Sequence, residues 1–598
     1  PLVGRWGKAP YPQMLRYLFL EMFGLSLTAP VLSGLKLHPP LALSSKRRMP
    51  MLAKNQCYEM TCESFGQDAQ GVCRQDGIAV FVPGLLPGER ARVRIVKPEK
   101  RYAFGRIEEL LEKSPNRAEP FCPIYKRCGG CVCQHMTYET SLAFKRRQVQ
   151  DLLERVGGLS IEVPPVLGMA HPFGYRNKGA YPVAQVGGAP ACGFFAPRSH
   201  DLIPLPQNGC AIQGEDSAKA TQAVLAWMRQ NNVPAYDELT GRGLVRHIMT
   251  RSTTHGELMV VLVVTRADIP KAGQLIELLK AAVSGLCSIC LSINSRRTNV
   301  ILGTDIRVLW GKGTMEDTLC GLRFSVSPLS FFQVNPAQTE KLYGLALEYA
   351  GLTGSETVVD AYCGAGTISL LLAQKAKKVI GIEIVPEAIQ NANENAVRNH
   401  IENAEFRVGA TEELLPRLIA DGLRPDVIVL DPPRKGCDPT VLDAIIAAAP
   451  KRVVYVSCGA PTLARDAKLL AEGGYTAEKV QCVDMFCWTG AVETVMSLVQ
   501  QNPDDIVKVG IDADELAVTK AESKATYGEI QARVKEQTGL NVTPLYIAQV
   551  KQKYGIIERE CYNKPKSEDA KQPQCPPDKE AAIVEALKFY GLIDPCSH

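Results

Sequence analysis

Between Lys54 and about Leu111, apolar and polar residues alternate in short runs (GVCRQDGIAVFVPGLLPGERARVRIV). Turn signals at Pro83-Gly84 and Pro87-Gly88 separate them. A period of two between tight turns predicts a small β-barrel. From about Ile161 to Arg323 the pattern is mixed α/β, with apolar strand-like runs at 257–264 and 288–294. Between about Ser325 and Gln500, strand-like and helix-like segments alternate, which predicts a doubly wound parallel sheet. Past a polar linker at 501–505 the tail reads as helical: ATYGEIQARVKEQTG, the turn GLNVTP, PLYIAQVKQKYG, a Lys/Pro-rich stretch and a last helix. A chain of 598 residues is too long for one core. The segmentation predicts a leader over 1–50, a barrel over 51–113, a central α+β domain over 114–324, a Rossmann-like α/β domain over 325–500 and a helical extension over 505–598.

The leader is expected to be disordered or non-native. Its apolar run from Met14 to Leu32 imitates a signal peptide, but Glu21 interrupts it and coherent patterning begins only near Met49 or Met51. No other stretch approaches transmembrane length. Hydrophobic residues at 46% and charged residues at 22% describe a soluble globular protein, and a net charge of +5 is too mild to identify a partner. Position says more than the sum. Arg90, Arg92, Arg94, Lys97, Lys100, Arg101 and Arg106 crowd the second half of the barrel around Tyr102 and Phe104. That pattern suits a surface that tracks a nucleic-acid backbone and stacks bases, and equally an ordinary solvated β-face. Twenty scattered cysteines in so large a chain favour a reducing compartment, the cytoplasm, with metal or catalytic duties for a few and burial for the rest.

In ETVVDAYCGAGTISLLLAQKAKKVIGIEI an apolar strand ends at Asp360. A loop with Cys363, Gly364 and Gly366 follows, then a helix and a second strand ending at Glu383. Small residues at such a strand end admit a ligand close to the backbone, and a terminal carboxylate can accept both ribose hydroxyls. The dinucleotide fingerprint is incomplete, since Ser369 follows the two glycines, so a nucleoside without phosphates fits better; S-adenosylmethionine is one. PDVIVLDPPRKG brings Asp431, Pro432, Pro433 and Arg434 to the same edge, and KRVVYVSC brings Cys458. Carbon 5 of uracil is a poor nucleophile until a thiolate adds to carbon 6; a base must then remove the proton from carbon 5. Cys458, with Glu493 in FCWTGAVETV, meets those two needs.

Cys122, Cys128 and Cys131 in FCPIYKRCGGC have the spacing of a metal centre, with Cys210 as candidate fourth ligand. Zinc and a [4Fe–4S] cluster both remain open on spacing. Cys133 reads as a bystander, and Cys287 and Cys290 as packing residues.

Taken in order, SPLSFFQVNPAQTEKLY, DAYCGAGT, DPPRKG, VVYVSC and the downstream Val-Glu resemble the RNA (uracil-5-)methyltransferase family. In particular they resemble its iron–sulfur branch acting on 23S ribosomal RNA, over about residues 51–500. The resemblance implies S-adenosylmethionine held by Gln333, Tyr362, Gly364, Gly366, Glu383 and Asp431, with Cys458 as nucleophile and Glu493 as base. It implies a [4Fe–4S] cluster on Cys122, Cys128, Cys131 and Cys210, a TRAM-type, OB-like barrel and a ribosomal RNA substrate; the expected state is a monomer. Gly459, Cys487 and Ala491 depart from the usual Asn, Pro and His of that family. They keep alive a non-catalytic RNA-binding or ribosome-assembly protein on the same scaffold, beside a tRNA uridine-5 methyltransferase. An iron–sulfur redox sensor and a cytosine-5 enzyme are weaker rivals, the latter because the fourth strand ends in Asp-Pro-Pro-Arg rather than Pro-Cys. In the tail, Lys551 and Lys553 suggest an auxiliary RNA- or ribosome-binding element, with a simple packing domain as the alternative.

Overall fold

The alternating segment forms a closed barrel of β1 (Cys57–Phe65), β2 (Gly71–Gln75), β3 (Ile78–Val82), β4 (Arg90–Pro98) and β5 (Tyr102–Glu112), in the order β1-β2-β3-β5-β4. The computed structural model describes residues 52–501, 527–554, 575–590 and 592–593; the leader, the linker from 502 and the Lys/Pro-rich stretch up to 574 lie outside them. Met60, Cys73, Val80, Val82, Val93 and Ile95 fill the barrel, as the period of two requires. Gly105 is needed where the β4–β5 pair bends inward, since a Cβ there would lie 2.3 Å from Val93 Cγ1.

The basic run is less available than its composition implies. Antiparallel pairing sets Arg92 opposite Glu109 and Arg94 near Glu108. Arg90 pairs with Glu112, Arg106 with Glu108 and Lys97 with Glu99. Lys100 and Arg101, in the β4–β5 turn, remain beside exposed Tyr102, whose ring packs with Phe104 and Phe81 at 5.6 and 5.9 Å.

The central region opens with a helix, Tyr138–Arg155, capped by the Thr137 side chain. A seven-stranded sheet follows, made of β6 (Lys178–Val186), β7 (Ala189–Phe195), β8 (Leu202–Pro204), β9 (Val245–Ser252), β10 (Leu258–Val264), β11 (Leu286–Ile293) and β12 (Asp305–Gly311). Its order is β12-β11-β10-β9-β6-β7-β8. Cys290 is buried in β11 and Cys287 half-buried beside it, which is a packing role for both. A hairpin, β13 (Met315–Leu319) and β14 (Leu322–Val326), leads into the last sheet.

That sheet holds β15 (Thr357–Ala361), β16 (Lys378–Glu383), β17 (Ala404–Val408), β18 (Val427–Leu430), β19 (Arg452–Ser457), β20 (Tyr475–Val483) and β21 (Glu493–Gln500), ordered β17-β16-β15-β18-β19-β21-β20. The first five run parallel and β21 antiparallel to β19. Alternate residues serve opposite cores. Val359, Ile380, Ile428 and Tyr455 join one cluster, whereas Val358, Val379, Val429 and Val454 join the other. Burial on both faces explains why these strands read as unbroken apolar runs. The order reverses between β15 and β18, so their carboxyl ends open a crevice there.

Residues from 502 on form a separate unit. Its helices Tyr527–Thr538, Pro544–Lys553 and Pro577–Phe589 close around Ile530, Val534, Ile547, Val550, Ile583 and Leu587. Of the two lysines read as an auxiliary RNA-binding element, Lys551 is 3% exposed and belongs to the bundle's own packing, whereas Lys553 stays at the surface in an ion pair with Glu580. Among the described residues no helix is long and apolar enough to cross a membrane.

Candidate active site

Just past β15 the chain turns sharply: Tyr362 takes φ 71°, Gly364 55° and Gly366 79°. A tyrosine in the left-handed region is a strained position of the kind that gathers at ligand sites. Gly366 is required by packing, because a Cβ would meet Ala392 and Phe406 at 3.0 Å. The Gly364 N–H donates to Glu383 Oε2 at 3.2 Å and the Val385 N–H to Oε1 at 2.9 Å. Two amides thus hold the Glu383 carboxylate at the mouth of the loop.

Behind the loop, Asp360 is buried and accepts the Ser369 hydroxyl. Burial, opposed by that bond and reinforced by nearby Asp431, lifts its carboxyl to about 7. Asp431, following β18, is likewise lifted by burial to about 7. The Tyr343 phenol, raised by burial and then by Asp431, lies near the Gln333 side chain and accepts from Thr367 Oγ1 at 3.4 Å. Gln333, Thr367, Tyr343 and Asp431 therefore stand together. The Tyr362 phenol is raised by burial and then by nearby Cys437.

Strand pairing brings the two reactive candidates face to face. Ser457 of β19 is opposite Thr494 of β21, so Cys458 and Glu493 leave the sheet at the same edge, next to Asp431 on β18. Burial pushes the Cys458 thiol up to about 11; Glu493 and Asp431 add to this and Arg434 opposes it. Glu493 is 4% exposed, and burial, then Asp431, push its carboxyl up to about 8 against the pull of Arg434. Four ionisable groups from three strands thus act on one another across a small space. Perturbation of this kind is common in catalytic acids, bases and nucleophiles. Arg434 and Tyr343 earned no separate role from the sequence; Arg434 was legible only as a member of the Asp-Pro-Pro-Arg turn.

Cys122, Cys128, Cys131 and Cys210 line one cavity of about 430 Å³, together with Arg176 and Lys178. Among the described residues no group of three or more His, Cys, Asp or Glu forms a set that holds a single metal ion. The thiols surround a volume instead of converging on a point. Cys133 is fully buried and lies outside that lining.

Residues 248–501 match the family model described as tRNA (Uracil-5-)-methyltransferase, and residues 54–107 match the TRAM domain. The chain is 47% identical over 460 residues to an uncharacterized RNA methyltransferase of Halalkalibacterium halodurans, covering 77% of this chain and 100% of that one. It is 48% identical over 449 residues to another from Listeria innocua, covering 75% and 98%. Among solved structures, a Pyrococcus abyssi tRNA (uracil-54, C5)-methyltransferase in complex with S-adenosyl-L-homocysteine superposes with a TM-score of 0.60 at 27% identity. The match covers 74% of this chain and all of that one.

Proposed function

The chain belongs to the RNA (uracil-5-)methyltransferase family, and from that premise we propose that it methylates a uridine of 23S ribosomal RNA through a covalent bond between Cys458 Sγ and carbon 6. It is an S-adenosylmethionine-dependent RNA methyltransferase. The observation that carries the mechanism is the meeting of Cys458, Glu493 and Asp431 at one sheet edge beside the Gly364–Gly366 loop. The target uracil is unpaired or turned out of its stack, since a thiol cannot reach carbon 6 inside a helix.

Cys458 acts as a thiolate, with Arg434 as the cation that favours the charged form. Adding sulfur to carbon 6 moves the ring's electron pair toward carbon 5 and oxygen 4 as an enolate. S-adenosylmethionine supplies the methyl group that carbon 5 then accepts. Glu493, as carboxylate, removes the proton from carbon 5; the pair left behind restores the 5,6 double bond and expels the Cys458 thiolate. A carboxyl raised to about 8 is a far stronger base than an ordinary glutamate and is still ionised in part near neutral pH. Glu383, held by two amides, suits the ribose hydroxyls of the donor, and Gln333, Tyr362, Gly364 and Gly366 line the rest of its site. Asp431 acts on Asp360 and Tyr343 on one side and on Cys458 and Glu493 on the other, so it stands between donor and substrate.

A [4Fe–4S] cluster on Cys122, Cys128, Cys131 and Cys210 is the second part of this reading. Four cysteines around a shared cavity would supply the four thiolates of such a cluster, beside the cationic side chain of Arg176. When bound, the cluster supplies four bonds that tie residues 122–131 to residue 210. The ribosomal target rests on the resemblance carried by these cysteines. The Pyrococcus abyssi relative, a tRNA (uracil-54, C5)-methyltransferase, supports transfer RNA as the second reading.

Anaerobically purified protein, mixed with S-adenosylmethionine and either 23S fragments or transfer RNA containing 5-fluorouridine, tests both readings. Fluorine does not leave as a proton does, so a denaturation-stable complex is expected with the 23S fragment and not with Cys458→Ala. A complex with transfer RNA alone reverses the assignment of substrate. Binding without any complex removes the covalent mechanism.

A further inference from the structure

Glu493 reaches the site at the end of a loop, 484–492, whose carbonyls from Asp484 to Thr489 are held from outside. The Asp484 carbonyl accepts Gln338 Nε2 at 3.2 Å, that of Met485 accepts Asn335 Nδ2 at 3.1 Å and that of Phe486 accepts Lys145 Nζ at 3.1 Å. Tyr175 Oη donates to the Cys487 carbonyl at 3.1 Å. The Val132 and Cys133 amides donate to that of Trp488 at 2.9 and 3.0 Å. Cys133 Sγ donates to that of Thr489 at 3.5 Å.

Side chains complete the grip. Lys145 and Asp484 form an ion pair with no exposed surface, and Tyr138 Oη donates to Asp484 Oδ2 at 2.6 Å. The Tyr138 oxygen also meets Cys487 Sγ at 3.4 Å and accepts the Met169 N–H at 3.0 Å. Trp488, at φ 66°, donates its indole N–H to the Pro172 carbonyl at 2.8 Å.

The loop is buried, so its carbonyls must be paired within the protein, and six in succession find their donors on other segments. Asn335 and Gln338 come from the segment that leads into the last sheet, but the other donors lie near the cysteines. Val132 and Cys133 directly follow Cys131, Tyr138 and Lys145 lie on the next helix, and Tyr175 packs in one apolar cluster with Cys131, Cys210, Cys487 and Trp488. The cysteine-lined cavity and the base-bearing loop are therefore one mechanical piece.

We infer that Tyr138, Lys145 and the Val132–Cys133 amides are positioning groups for Glu493, and that the state of the four-cysteine cavity acts on the reaction through them, at removal of the proton from carbon 5. This rests on the covalent mechanism proposed above. A base must sit within hydrogen-bond reach of its proton, so displacement of the loop weakens that step first. Thiolate addition and methyl transfer depend on Cys458 and the donor loop, with which Tyr138, Lys145 and the Val132–Cys133 amides make no hydrogen bond.

The test uses the full-length, cluster-loaded enzyme and its variants Tyr138→Phe and Asp484→Asn, with full-length Cys131→Ser, which lacks one cluster ligand, for the cavity. On RNA with ordinary uridine, single-turnover methyl transfer by Tyr138→Phe and Asp484→Asn is expected to stay within about twofold, while product release slows by roughly tenfold or more and a covalent protein–RNA species accumulates. Hydrogen–deuterium exchange of the 484–493 peptide is expected to rise in all three. Methyl transfer and release falling together, or release left unchanged, overturns the positioning role. Unchanged exchange in Cys131→Ser overturns the link to the cavity. Wild-type enzyme that gives no Cys458-dependent complex with 5-fluorouridine RNA refutes the covalent mechanism instead; unchanged exchange in Tyr138→Phe then overturns the clamp independently.

Discussion

Cys458 and Glu493 face each other across one sheet edge, yet they are held in opposite ways. The nucleophile's turn is local: Ser457 Oγ accepts the Gly459 N–H at 3.1 Å, and Thr462 Oγ1 donates to the Gly459 carbonyl at 2.9 Å. The base's loop is held almost wholly from elsewhere, by residues up to 356 positions away. The difference matches the chemistry. A thiol that attacks a flat ring tolerates some play, whereas a base must meet one proton in one direction. It also bears on two departures from the family pattern. Gly459 lies in the locally built turn, where an added Cβ would meet Thr462 Oγ1 at 3.0 Å, the end of a short side chain. Cys487 is built into the clamp by its contact with Tyr138.

The largest test of the contrast is to remove each group. Cys458→Ala is expected to lower methylation by roughly a thousandfold or more, and Glu493→Gln to allow one methyl transfer and then arrest as a covalent complex. If both variants stop before methyl transfer, as scored by label on denatured complex, the division of labour is wrong. Next, Cys128→Ser or Cys210→Ser should lose iron and visible absorbance together. A wild type holding zinc and no iron would break the cluster reading.

A pH profile sharpens the comparison further. Burial raises Glu493 to about 8, so the base gains its charge as pH rises, and single-turnover release should increase close to tenfold from pH 6 to pH 7 before levelling above pH 8. A flat profile would assign the proton to another group. At the barrel, Arg101→Glu with Tyr102→Ala should weaken RNA binding by about 1–3 kcal/mol, while Arg92→Ala, already paired with Glu109, should change it little. Filter binding distinguishes the two.

The smallest effect is on stability. Asp431 is lifted to about 7, above its unfolded value, so the folded state binds more protons and loses stability as pH rises through that window. At pH 8 Asp431→Asn should therefore raise the Tm of the ligand-free protein by roughly 2 °C, while donor binding falls. A lower Tm would show that its ionised form is stabilised by the fold.

Much of this was legible in the chain. The barrel's period of two, the buried strands of the last sheet and the glycine loop are set by short-range rules of side-chain alternation and backbone freedom, and they emerge in the expected order. The reading of charge was less secure. Arg92 and Arg94 looked available until strand register set them against Glu109 and Glu108, and Lys551 looked exposed until its helix packed. Composition counts charges without their neighbours, and a sheet or bundle chooses those neighbours.

By itself, then, the sequence determined the elements and which residue ends each strand, because hydrophobic period, glycine and proline act over a few residues. Only the tertiary structure decided that Cys458, Glu493 and Asp431 share one electrostatic field, that four cysteines surround one cavity, and that Lys145 and Tyr138 hold the loop that carries Glu493. Burial, and the strength it lends to each charge and hydrogen bond, depends on segments far apart in the chain meeting in a place that excludes water.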